Sequence, residues 1–439
     1  MGRFRRIISF CIIASIIFSC MAYTFAYNGQ DIHDSASSST STSSAEELEY
    51  ISNLGTEKYN YLLDVWREDG AYSRTQDISY PSFYGGCYED DNKDFVIMVT
   101  SLDQEVIDYF ENLIDLNYVR FSLVENSYQE LLDGKATIKQ LLSSGAFGES
   151  ITKLFTGTGI SQRENAVNVY LATEDIAAIR DTIEQVYAAN TYKPCKLRFI
   201  SAWYDVVELE ASEPNEQDDF QQPYLVNGAF VEPGGPIRVN GVPLSVGFWA
   251  KDYLGNLGIV TANHGRFYDG LEAYASKAED GSTATAYFGK VTSNTWYGGS
   301  VDASFVRRMD NRFGVINYVS GWDFYLKSET IDMKEGQEIF KKGIASGATR
   351  GKVIELGFDP SSVAETDSKL TSVVLTDCYA QPYDSGGIVA GGGSTSSRYI
   401  AGIIHAGAYR VSSSGAVEGP YMMFSQASDI LKKIRVTLP

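Results

Sequence analysis

The chain has 439 residues, with 36 Lys and Arg against 56 Asp and Glu, a net charge of −20. Aromatic residues at 13% and hydrophobic residues at 44% exclude a wholly disordered chain. A nucleic-acid partner is not expected, because phosphate contacts need clustered Lys and Arg. Five cysteines are too few for a disulfide-dense scaffold, and the length suffices for more than one core.

The charge is uneven. Residues 1–223 hold 16 basic and 35 acidic side chains, and residues 224–439 hold 20 and 21. Such asymmetry predicts two units with different tasks.

In chain order, residues 1–6 are basic and residues 7–26 are uncharged and largely apolar. This pattern reads as an export signal, so residues 1–26 are expected to be a signal peptide or a membrane anchor. Cleavage after Ala22 or Ala26 would leave a small residue at the cut. The run is also long enough to span a bilayer uncut, and Ile17-Phe18-Ser19-Cys20 loosely resembles a lipoprotein processing site. In each case the remainder is expected outside the cell, secreted or on its surface, with membrane contact only through this segment. Residues 27–45 include a Ser/Thr-rich run without large apolar residues and read as a flexible linker.

Residues 46–211 read as an α+β domain. Apolar residues recur at helical spacing over 46–66, 103–114, 127–142 and 175–188, and strand runs lie at 95–99, 165–171 and 196–200. No histidine falls between His33 and His264, so this half carries no catalytic or metal constellation. Cys87 and Cys195 are candidates to pair once exported, a matter of distance that sequence leaves open. Residues 212–225 form an acidic linker, the best domain boundary and an exposed site for proteolysis.

Residues 226–439 are rich in short β-forming runs separated by glycines, the signature of a β-barrel or sandwich, with one helix expected over 425–433. Three residues stand out in the order His, Asp, Ser. His264 closes an apolar strand, Asp302 is flanked by apolar residues, and Ser385 lies in Gln381-Pro-Tyr-Asp-Ser-Gly-Gly387. A serine hydroxyl attacks a carbonyl only when a base takes its proton, and neutral imidazole suits that task near neutral pH. A buried carboxylate fixes the imidazole tautomer and stabilises the imidazolium. Amide N–H groups of a glycine-bearing loop can cradle the oxyanion.

With these residues in place, residues 226–438 resemble the chymotrypsin/trypsin superfamily of serine endopeptidases, nearest to the bacterial streptogrisin and α-lytic type. Thr-Ala-Asn-His264, Asp302-Ala-Ser-Phe-Val and Ala380-Gln-Pro-Tyr-Asp-Ser385-Gly-Gly are similar to its three catalytic segments. Lys342-Gly-Ile-Ala-Ser-Gly-Ala-Thr-Arg-Gly-Lys-Val353 and Ala401-Gly-Ile-Ile-His-Ala-Gly407 are similar to two further stretches, the second bordering the specificity pocket. The resemblance implies an all-β double antiparallel β-barrel with the active site between the barrels. It implies catalysis by His264, Asp302 and Ser385, an oxyanion hole from the N–H groups of Tyr383 and Ser385, a pocket bordered by His405, Ala406 and Gly407, and loop support from Asp384. It implies no metal and no cofactor. The acidic half resembles the prosegments of that family, which assist folding and then inhibit.

The sequence departs from the family at several points. Tyr383 stands where the family has glycine, Gly265 where a cysteine commonly follows the catalytic histidine, and Phe340, Arg350 and Tyr379 where bridged cysteines occur. His405 has three open readings: a partner of Asp302, a pocket group for an acidic substrate side chain, or a packed strand residue. Asp377 is a further candidate pocket acid. The expected function is an exported serine endopeptidase made as a precursor. Its partners are protein or peptide substrates and its own N-terminal domain. The alternative is a catalytically silent surface binding module on a protease fold.

Overall fold

Two segments of the acidic half share one pattern: an antiparallel strand pair, a helix, and a third strand that returns parallel. The computed structural model describes residues 44–67, 78–201, 203–208, 230–276, 285–360, 370–411 and 417–439. The expected export segment, nearly all of the Ser/Thr-rich linker and the acidic linker lie outside these residues. No helix among the described residues is long and apolar enough to cross a membrane.

In the first repeat β1 (Tyr84–Glu89) pairs antiparallel with β2 (Phe95–Val99). The chain crosses through α1's neighbour in the core, α2 (Gln104–Glu111), to β3 (Val119–Leu123), parallel to β2. The long α1 (Ala45–Trp66) packs Leu62, Leu63 and Trp66 into the same core as Phe95, Ile97 and Phe110. In the second repeat β4 (Phe155–Ser161) pairs antiparallel with β5 (Ala166–Leu171), and α4 (Ile176–Ala189) leads to β6 (Leu197–Ser201), parallel to β5. Between the repeats lies α3 (Tyr128–Ser143). Its start is fixed by a capping box in which Glu130 N–H donates to Ser127 Oγ (3.3 Å) and Ser127 N–H donates to Glu130 Oε2 (2.8 Å). The expected α+β pattern is thus present. Cys87 and Cys195 are free buried thiols in two different cores, so the pairing left open by the sequence does not form.

From residue 230 short runs of apolar and small residues, divided by glycine-bearing turns, fold as strands. After β7 (Trp203–Glu208) and the short β8 (Phe230–Val231) come β9 (Pro236–Val239), β10 (Val242–Ser245), β11 (Trp249–Asp252), β12 (Leu257–Thr261), β13 (Glu272–Ser276), β14 (Thr285–Gly298) and β15 (Val301–Arg308). With β25 (Val436–Thr437) these build an eight-stranded sheet in the order β10-β9-β13-β14-β15-β12-β11-β25. It wraps a core that includes Ile237, Val239, Trp249, Ile259 and Phe288. β16 (Gly314–Val315) pairs with β8.

The second sheet holds β17 (Tyr318–Val319), β18 (Phe324–Thr330), β19 (Glu338–Gly343), β20 (Gly347–Pro360), β21 (Val373–Thr376), β22 (Ile388–Ser394), β23 (Ser397–Val411) and β24 (Val417–Gln426). The expected C-terminal helix is α5 (Ala427–Lys433). The two expected barrels correspond to two sheets, each over its own core: the pairings of the first form an open path, whereas in the second β19, β20, β21, β24, β23 and β22 pair in turn and β22 pairs back to β19. The second sheet does not stop at the linker. β20 pairs antiparallel with β4, and β23 pairs antiparallel with β7, so strands from both sides of residues 209–229 share it. Residues 45–439 form one compact unit.

Candidate active site

β12 and β15 are antiparallel neighbours, with Thr261 opposite Ser304. The turn that ends β12 therefore delivers His264 beside Asp302 near the start of β15. Asn263 locks that turn: its N–H donates to Asp302 Oδ1 (2.5 Å), and its Oδ1 accepts from Phe267 N–H (2.9 Å) and Ser304 Oγ (2.7 Å). His264 Nδ1 lies 2.7 Å from Asp302 Oδ2. The carboxylate is fully buried, and the Asp302 N–H donates to Ser425 Oγ at 3.1 Å.

His405, on β23, also places its Nδ1 2.7 Å from Asp302 Oδ2. Two imidazoles thus converge on one carboxylate oxygen, their rings 5.7 Å apart. Burial works to raise the Asp302 carboxyl, but the two imidazoles outweigh it and hold it well below the usual carboxylate range. His405 thus gives its Nδ1 to Asp302, and its Nε2 is buried without a hydrogen-bond partner among the described residues; Ala406 and Gly407 follow it along β23. Asp377 is exposed and its Oδ1 accepts from the Lys352 N–H, which leaves it outside the site.

Ser385 sits in a turn between β21 and β22. Its Oγ donates to the His405 carbonyl at 3.3 Å, and its own carbonyl accepts from Ser245 N–H at 2.8 Å. Tyr383 has φ +78°, the left-handed region that favours glycine. The loop thus keeps a glycine-like shape at that position without a glycine. Its carbonyl is held by Ser245 Oγ at 2.9 Å. Among the described residues the N–H groups of Tyr383 and Ser385 are donated to no protein group, whereas the Asp384 N–H between them goes to Gln381 O at 3.0 Å. Gly386 has φ +82°, and a Cβ there would lie 2.2 Å from Thr261 Oγ1, so only glycine fits.

Asp384 is fully buried. It accepts from the N–H groups of Ala345 (2.9 Å), Ser346 (3.0 Å) and Gln381 (3.0 Å), and pairs with the equally buried Lys341 Nζ at 3.0 Å. The resemblance implies loop support from Asp384 without naming a partner, and the cation beside it is Lys341. Lys341 is one of two lysines ending the apolar strand β19, and only the strand alternation that points one of them inward could have singled it out.

The edge of β23 beside the site is occupied. Residues Ala406 and Gly407 pair with Glu208 and Val207 of β7. As the chain stands, Ser385 has no exposed surface and His264 only 6%.

No family model matches this chain, and no curated protein matches it. Among solved structures it is similar to Thermobifida fusca Protease A at 19% identity, TM-score 0.36, over 48% of this chain and 98% of that one. It is similar to a Nocardiopsis protease at 22%, TM-score 0.37, over 48% and 99%. A glutamic acid specific serine protease, described as using a histidine triad in substrate binding, is similar at 23%, TM-score 0.35, over 48% and 100%. These neighbours are serine proteases, and each is matched by about half of the present chain.

Proposed function

We propose that residues 226–439 are a chymotrypsin-like serine endopeptidase, made as an exported precursor whose N-terminal half is a prosegment. The observation that carries this reading is the pair of unengaged N–H groups at Tyr383 and Ser385, in a loop whose serine hydroxyl reaches the carbonyl of His405, the second imidazole on Asp302. His264 takes the proton of Ser385 as its oxygen attacks the peptide carbonyl. Asp302 holds the imidazole in the tautomer that leaves Nε2 unprotonated, and stabilises the imidazolium. The two N–H groups receive the oxyanion. Breakage of the C–N bond releases the amine, which takes its proton from His264, and water then hydrolyses the acyl-enzyme by the same route in reverse. No metal or cofactor takes part in these steps.

The inhibitory role rests on β7, which adds a strand to β23 beside Ser385, the way an extended peptide augments a sheet edge. A fluorophosphonate probe tests the reading, applied after the chain has been cut between residues 209 and 229 and the N-terminal fragment has been removed. It should label the cut wild type and not Ser385→Ala. Equal labelling of both, or none of either, rejects the enzyme and leaves a binding module on the same fold. If the cut is autocatalytic, Ser385→Ala accumulates at the mass of the uncut precursor.

A further inference from the structure

We propose that the contact between residues 45–201 and the half that begins at Phe230 is held by protons: Glu335 and Glu355 lie in it as neutral carboxylic acids, and ionising them loosens it. The inference rests on the reading of residues 45–201 as a separable prosegment.

Glu355 lies on β20 and is fully buried. Its Oε2 accepts from Asn168 Nδ2 at 3.1 Å and from the Tyr170 hydroxyl, both on β5. Its Oε1 is buried with no partner. It rests on β4, where a Cβ on Gly159 would lie 1.3 Å from Oε1, so that glycine makes the room the carboxyl fills. Glu335 lies in the turn before β19 and accepts from Gln162 N–H (2.7 Å), Arg163 N–H (3.3 Å) and Ser161 Oγ (3.3 Å), all at the end of β4. Every donor to these two carboxyls therefore belongs to the N-terminal half.

The nearby cations are engaged elsewhere. Lys135 Nζ, on α3, pairs with Asp359 at 3.1 Å and bonds the Gly357 carbonyl, and Lys139 pairs with Asp359 at 3.2 Å. Lys334 Nζ bonds Thr56 Oγ1 at 2.6 Å and pairs with Glu89 at 3.6 Å; Lys93 pairs with the same Glu89 at 2.8 Å. Arg163 gives Nη2 to the Glu89 carbonyl at 2.8 Å and lies over the Tyr88 ring. Cys87 and Tyr128, in the N-terminal cores, complete the titratable groups around Glu335. Glu335 also acts on Glu355, opposing its ionisation.

Burial pushes both carboxyls from 4.5 up to about 7. The Arg163 and Gln162 N–H groups and the Arg163 charge offset part of this at Glu335, as Tyr170, Asn168 and Lys135 do at Glu355. Once the halves part, both face water and return toward 4.5. The joined state thus binds more protons than the separated one. Its extra stability is complete below about pH 4.5 and is lost as pH rises through about 7, on the order of 10²-fold in the separation equilibrium per carboxyl. The partner held in acid and released toward neutral pH is the chain's own N-terminal half.

The test uses the full chain carrying Ser385→Ala, with a recognition site for a foreign protease placed within 212–225. After cutting, the urea concentration that separates the fragments on size exclusion is measured at pH 5 and pH 8.5. The expected result is a clear fall in that concentration at pH 8.5, absent from the double variant Glu335→Gln/Glu355→Gln. Equal values for the cut chain at both pH values, or a parallel fall in the double variant, overturns the proposal. A second measurement needs no variant at these positions: the infrared carbonyl band of a protonated carboxylic acid should be present in the joined chain at pH 6 and vanish on separation. Its absence from the joined chain also overturns the proposal. Because Ser385 is already replaced, failure here is independent of whether a probe labels Ser385 in the wild type.

Discussion

Tyr383 carries a side chain at φ +78°, where an L-residue is strained by about 1–2 kcal/mol. Tyr383→Gly is therefore expected to stabilise the chain by up to about 1 kcal/mol in urea titrations, after glycine's greater unfolded-state entropy is subtracted. Peptide hydrolysis should persist in that variant, since the N–H remains. Tyr383→Val, branched at Cβ, should shift the midpoint the other way. At Asp302, Asn in place of Asp leaves the shape and removes the charge that fixes the imidazole, so kcat should fall about 10⁴-fold with KM nearly unchanged. Lys341→Met strands the buried Asp384 carboxylate without its cation, a loss of about 3–5 kcal/mol readable as a lowered Tm. His264, Asp302 and Ser385 can be singled out in the sequence because each sits in a local run of characteristic residues, and the structure sets His264 and Asp302 2.7 Å apart. Lys341 and the second imidazole on Asp302 depend on which strands become neighbours. That is set by sheet order, and no window of sequence contains it.

At the level of elements, the β4–β20 pairing is made possible by small residues. β4 reads Phe-Thr-Gly-Thr-Gly-Ile-Ser, and its two glycines lie under Phe358 and Glu355. A Cβ on Gly157 would come within 2.8 Å of the Phe358 ring. Gly159→Ala should destabilise the full chain by about 1–3 kcal/mol through overpacking. Glu355→Ala in the same chain should recover part of it, giving a non-additive double-mutant cycle in urea. The glycines of β4 are readable in sequence as weak strand formers. Their purpose becomes visible only once residues nearly 200 positions away are laid on them. The paired repeats of the acidic half show the reverse balance: their helices and central strands follow from apolar periodicity alone, since each is built from contacts close in sequence.

For the whole molecule, cutting the linker and releasing the N-terminal half are separate events. The sheet runs unbroken across residues 209–229 through β4–β20 and β7–β23, so a cut leaves those ladders in place. Fragments cut at acidic pH should co-migrate, and limited proteolysis alone should give less activity than proteolysis followed by a rise in pH. When release does come, β20 keeps β19 and β21, and only its last stretch, Leu356–Pro360, loses the strand it faced. Its last residue, Pro360, has no N–H to offer a newcomer, and Asp359 loses the cations Lys135 and Lys139 and keeps the Ser372 N–H as its donor. Proline and unpaired charge are what keep open sheet margins from recruiting further strands. The same residues that end the embrace of the two halves would then guard the liberated one against self-association, and sedimentation of the separated C-terminal half should show a monomer.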